Sequence, residues 1–178
     1  MFTEAQRHAL VDVARRTIGA RLSGAADPAV PGGDWPEASG VFVTIKRRGA
    51  LRGCLGTLEP GRRLADDVAR CAADAATVDP RFPPVTAAEL SGLTIEISVL
   101  GPLEEIAPHD ADAIVIGQHG LVAELGARRG LLLPQVAPKW GWTVDQFLGQ
   151  TCVKAGLPAD AWQHGARISR FEAEVFGD

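Results

Sequence analysis

The run Leu93-Thr94-Ile95-Glu96-Ile97-Ser98-Val99 alternates apolar and polar side chains without a break. Successive residues of a strand face opposite sides of a sheet, so this run settles as a strand with one face in a core. Such a face needs neighbours, and the chain supplies them. Val41, Val43 and Ile45 alternate with Phe42, Thr44 and Lys46. Arg47-Arg48-Gly49 then turns the chain, and Leu51 to Thr57 follows as the partner strand of a hairpin. Leu121 to Leu125 and Leu131 to Leu133 flank Gly126-Ala127-Arg128-Arg129-Gly130, which predicts a second hairpin. Phe171, Ala173 and Val175 alternate with Glu172 and Glu174 in a last strand.

Helices fall between these runs. Thr3 and Gln6 have capping-box spacing, and Leu10, Val13, Ala14, Ile18 and Leu22 form the stripe behind them. A second helix is expected from about Arg63 to Thr77, after a break at Pro60-Gly61. Thr86 and Glu89 open a short helix. Thr143 and Gln146 open another, which stops at Gly156 with Pro158 just beyond. Residues 23–39, with Pro28, Pro31, Gly32, Gly33 and Pro36, read as a loop that Trp35 could anchor. Asp79-Pro80-Arg81-Phe82-Pro83-Pro84 is a stiff loop because its prolines fix φ. Pro102 and Pro108 frame a looser region. Helices and strands mix without a βαβ rhythm, so the class is α+β with antiparallel pairing in one domain of 178 residues.

Charge narrows the function. A net charge of −4 argues against a broad nucleic-acid surface, which needs clustered cations to replace counterions. No apolar run is long enough for a membrane span, and the start has no signal-peptide layout. The three cysteines, Cys54, Cys71 and Cys152, are odd in number and form no CxxC pair, which suits free thiols in a reducing cytoplasm. No dinucleotide, P-loop, zincin or serine-hydrolase motif is present.

Several blocks, in order along nearly the whole chain, resemble the AMMECR-type domain family, whose prokaryotic members are known as protein A of the AmmeMemoRadiSam system. The carrying residues are Leu51 to Thr57, Asp79 to Pro84, Leu93 to Leu100 and Gly117-Gln118-His119-Gly120-Leu121. They continue with Gly130 to Ala137 and Thr151 to Leu157. Leu55 departs from the family's more frequent isoleucine, and residues 23–39 match no family block. The resemblance implies a two-lobed α+β domain over residues 1–178, with an antiparallel sheet flanked by helices. The larger lobe would come from both chain ends and the smaller, inserted one from the middle, with a cleft between. It also implies association with a Memo-type protein and a radical SAM enzyme, and it marks Leu51 to Thr57, Thr57 included, as lining the site.

The residues themselves offer a catalytic pair. A thiolate is the reactive form of cysteine and is favoured beside positive charge. Arg52 lies two residues from Cys54, and Lys46, Arg47 and Arg48 lie in the same hairpin. Gly53 and Gly56 remove bulk, so a ligand or another backbone can approach. His119, between Gly117 and Gly120, is a natural acid or base to partner Cys54. Arg81 could clamp an anion or pair with Asp79 or Glu89, and Gln135 could face a ligand or bond backbone. Cys54 could equally be a packing residue, and His119 a turn cap. The cysteines and His119 lack the short spacing of a metal site, so neither metal nor cofactor is expected. Glu96 reads as solvated, His8, His109 and His164 as surface residues, and Trp140-Gly141-Trp142 as an aromatic surface or core plug. Two functional readings stand above a nucleic-acid-binding regulator. One is a substrate-binding enzyme or enzyme component, acting on a small molecule or a modified protein through Cys54 and His119. The other is a non-catalytic adaptor that captures a protein through the same hairpin.

Overall fold

β1 (Gly40–Arg47) and β2 (Ala50–Thr57) pair antiparallel across the two-residue turn Arg48-Gly49, where φ is 52° and 79°. Positive φ at both positions gives the turn the twist that the flanking strands need. β3 (Leu93–Leu100) pairs antiparallel with β1, from Gly40 opposite Leu100 to Arg47 opposite Leu93. These residues belong to a computed structural model that describes residues 1–58, 63–107 and 110–178. The expected break at Pro60-Gly61, together with Pro108 and His109, lies outside the described residues.

The chain divides into two units. The first comprises Met1–Leu100 and Glu174–Asp178. Its core is the face that alternation predicted: Val41, Val43, Ile45, Ile95, Ile97 and Val99 are all buried. Helix α1 (Glu4–Ser23) covers β3, and α2 (Leu64–Thr77) covers β1 and β2. The Thr3 capping box is formed in both directions, and Gly24 closes α1 in the left-handed region. α2 is alanine-rich on its inner side, which lets its backbone come close to β2. The Thr86 box also forms, but the helix it opens, Ala87–Gly92, is a 3₁₀ helix. Trp35 packs against this core.

The second unit comprises Gly101–Ala173. It contains β4 (Glu104–Ile106), β5 (His119–Leu125), β6 (Arg128–Leu132), α3 (Val136–Trp140), α4 (Val144–Lys154) and the first part of β7 (Arg167–Gly177). β5 pairs antiparallel with β6 and β7, and β4 with β7. Leu121, Ala123, Phe147, Leu148, Cys152 and Ile168 form its core. The second hairpin is tighter than expected. Its loop is only Gly126-Ala127, and Arg128, Arg129 and Gly130 are strand residues. Gly130 is there because helix backbone crosses the strand: a Cβ would lie 2.5 Å from the Ala155 nitrogen. β4 and α3 had no sequence signal, since β4 is three residues long and α3 five. Both units pair antiparallel strands with helices, the α+β class that the patterning predicts.

Candidate functional site

β2 is an edge strand, and an edge leaves main-chain groups without strand partners. At Cys54 the loop that follows α2 takes them up. The Cys54 N–H donates to Asp79 Oδ2 at 2.9 Å, and Arg81 Nη2 donates to the Cys54 carbonyl at 3.1 Å. Asp79 in turn accepts from the Arg81 N–H and Nε, both at 3.0 Å, and from Nη2 at 2.7 Å. Asp79 is only 4% exposed. The Arg81 guanidinium, opposed by burial and helped by the Cys54 N–H, holds its carboxyl well below the usual carboxylate range. Pro80, Pro83 and Pro84 stiffen the loop that presents these groups.

Arg52 works on the same loop. The register slips between Ile45 and Lys46, so Gly53 faces Ile45, Leu51 faces Lys46, and Arg52 is the extra residue. A bulge re-aims its side chain. Arg52 Nε donates to Glu89 Oε1 at 2.9 Å and Nη2 to Oε2 at 3.1 Å, a bidentate pair. Nη1 and Nη2 also donate to the carbonyls of Pro83 and Pro84, at 2.8 and 3.1 Å. Arg47 reaches Glu89 Oε1 at 3.1 Å, and the Thr86 N–H donates to Glu89 Oε2 at 2.8 Å. Arg52 and then the Thr86 N–H bring the Glu89 carboxyl down to about 2. Arg52 and Arg81 therefore have their charge matched within the protein, and both position the strand and loop.

The glycines are accounted for by the same unit. A Cβ on Gly53 would lie 2.1 Å from the Ala75 carbonyl oxygen of α2. A Cβ on Gly56 would lie 2.3 Å from the Val41 carbonyl oxygen and 2.4 Å from the Phe42 ring. The close approach that these residues permit is made by α2 and by Phe42. Thr57 is half-buried at the end of β2, opposite Val41.

What remains at this point of the strand is the thiol. Cys54 is half-buried and faces Thr44 across a pair whose Cys54 main-chain groups point away, the arrangement that brings side chains closest. Thr44 Oγ1 donates to Cys54 Sγ at 3.2 Å. One strand further, Glu96 lies opposite Thr44 and pairs with Lys46 at 2.8 Å. Cys71 and Cys152 are buried, and burial pushes the Cys71 thiol up to about 11 and the Cys152 thiol in the same direction.

His119 and Gln135 belong to the second unit. His119 opens β5, is 7% exposed, and its Nδ1 accepts from the Val115 N–H at 2.9 Å. With Nδ1 accepting, the proton of a neutral ring sits on Nε2. His119 lines a cavity of about 160 Å³ with Pro102, Glu104, Arg170, Phe171 and Glu172. Arg170 is held by Glu104 at 2.8 Å and by the Ala113 carbonyl, so this wall is set. Gln135 is exposed at the start of α3 and makes no side-chain cap. The structure thus gathers Arg52, Cys54 and Arg81 about Asp79 and Glu89. The residue pattern marked those two carboxylates only as salt-bridge partners of Arg81. The signal was present in the Asp79 to Pro84 block and the Thr86 capping box. Thr44 had no signal beyond its place in an alternating strand. Among the described residues no three His, Cys, Asp or Glu side chains cluster as a metal site. No helix among them is long and apolar enough to cross a membrane.

These features define an α+β protein built on antiparallel strands, with a thiol on an edge strand whose main chain is held by a buried carboxylate and an arginine. The AMMECR1 family model matches residues 11–176, and the chain belongs to that family. A protein of Methanothermobacter thermautotrophicus is 45% identical over 94% of this chain and 91% of its own length. One from Methanosarcina barkeri is 43% identical over 99% and 92%. The crystal structure of an uncharacterized protein from Pyrococcus horikoshii superposes with a TM-score of 0.88 at 41% identity, covering 95% of this chain and 89% of that one.

Proposed function

We propose that this chain is a substrate-binding enzyme or enzyme component in which the Leu51–Thr57 segment presents the Cys54 thiol to its substrate. One observation carries this reading. The main-chain groups of Cys54 are engaged inside the protein, whereas its thiol, on a half-buried residue, accepts from the Thr44 hydroxyl and lies within the influence of the Arg81 guanidinium, a positive charge of the kind that favours a thiolate. An edge strand held this firmly fixes the thiol to within the tolerance that chemistry on a bound molecule requires. The Memo-type protein and the radical SAM enzyme that the family resemblance implies are the partners of the same proposal.

Native iodoacetamide labelling with peptide mass mapping tests it. Cys54 should alkylate in the folded protein at a pH-dependent rate, while Cys71 and Cys152 react only after unfolding. Cys54→Ala should abolish cellular function without changing the unfolding free energy by more than about 1 kcal/mol. Protection of Cys54 in the native state, or full function in Cys54→Ala, would overturn the thiol reading and leave the adaptor.

A further inference from the structure

We infer that the second unit carries a docking groove for a partner-protein segment bearing cationic, arginine-type side chains. Trp140 and Trp142 stack with ring centroids 6.2 Å apart and planes 14° from parallel. Trp140 is 66% exposed, a large cost for an indole that serves only the fold. Trp142 and the half-buried Trp162 line an open groove of about 390 Å³ between the start of α4 and the segment after it. The buried Gly149 forms part of its wall, where a Cβ would already press on the Ala159 carbonyl oxygen at 3.3 Å.

Charge selects the occupant. Asp145 and Asp160 line the groove, and among the described residues no lysine or arginine does. Asp145 is exposed and has no ion pair among the described residues. Among the described residues the Asp160 carboxylate forms an ion pair with His164 Nε2 alone, at 3.4 Å. Indole faces attract cations, and a guanidinium stacks flat on an indole while its N–H groups reach a carboxylate. Gln146 and Gln150 on the same rim can bond the main chain of the incoming segment. A neutral sugar would also stack on indoles but would leave the Asp145 charge unmatched. The groove lies in the other unit from Cys54, so the inference stands independently of the thiol.

The probe is an acetylated Gly-Arg repeat hexapeptide, titrated into the full chain and followed by the indole N–H resonances. Trp142 and Trp162 should shift while Trp35, in the first unit, stays still. The matched Gly-Gln and Gly-Glu peptides should give smaller shifts or none, and salt should weaken the response. Asp145→Asn, which keeps the fold, should reduce affinity about threefold, the scale of one exposed charge pair. Trp142→Ala should lose binding, with its folding checked by circular dichroism. Equal shifts with the Gly-Gln peptide, an unchanged affinity in Asp145→Asn, or shifts with maltohexaose alone would each overturn the inference.

Discussion

Each unit has a hairpin whose second strand carries an Arg-Gly step: Arg52-Gly53 in β2 and Arg129-Gly130 in β6. In both, glycine is required because helix backbone passes over the strand, Ala75 at one and Ala155 at the other. The neighbouring residues differ. The Arg129 side chain is 29% exposed and meets Glu124 of its own hairpin at 3.4 Å. The Arg52 side chain is 14% exposed and bonds both oxygens of Glu89 and two proline carbonyls. After the glycine, β6 continues into the buried Leu131, while β2 continues into Cys54, with its N–H and carbonyl held from outside the sheet. Packing alone suffices to seat a strand. The extra polar ring at β2 fixes one residue, and that residue bears a thiol.

The largest effects should fall where the hairpins agree. Gly53→Val and Gly130→Val should each cost at least ~3 kcal/mol in urea unfolding or prevent folding, because the obstacle is backbone rather than a movable side chain. A Gly53→Val protein that fails to capture a partner would therefore report on folding, not on an adaptor surface. Where the hairpins differ, the mutants should diverge. Asp79→Ala removes a buried carboxylate that holds Arg81 and the Cys54 N–H, and should cost about 2–4 kcal/mol. Arg129→Ala should cost less than about 1 kcal/mol. Equal costs would remove the distinction drawn between the two strands.

Acid sharpens the comparison. The Glu89 carboxyl is lowered from 4.5 to about 2 on folding, so its contribution is present above the unfolded value and lost as pH falls between these limits. The loss should show as a fall in unfolding free energy confined to that pH interval, reduced by solvent screening of the pair. Glu89→Gln should flatten that part of the stability–pH curve, and Asp79 should leave a further acid-labile part in place. A curve unchanged by Glu89→Gln would show that the Arg52 pair does not stabilise β2. The smallest effect is expected at Thr44→Val. It should change stability by less than about 1 kcal/mol yet alter the Cys54 alkylation rate, because the Thr44 hydroxyl is the sulfur's neighbour. An unchanged rate would show that this bond does not govern the thiol.

Local pattern reached far into the fold. Period-two alternation marked β1, β3 and β7, and capping boxes marked the starts of α1, the 3₁₀ helix and α4, because each depends on residues within a few positions of one another. β4 and α3 were missed because elements so short depend on their neighbours for support. In the site, Cys54, Arg52, Arg81 and the glycines stood out as residue types. Their partners did not, since Asp79 lies 25 residues from Cys54 and Glu89 lies 37 from Arg52.

The sequence by itself therefore determined the α+β class and the buried face of the first sheet, and it singled out the Leu51–Thr57 segment by its residue types. Only the tertiary structure decided what each residue there does. It gave Arg52 to Glu89, Gly53 to the backbone of α2, and the Cys54 main chain to Asp79 and Arg81. The reason is physical: periodicity and capping are set by near neighbours, whereas charge pairing and backbone contact depend on distant segments that only folding brings together.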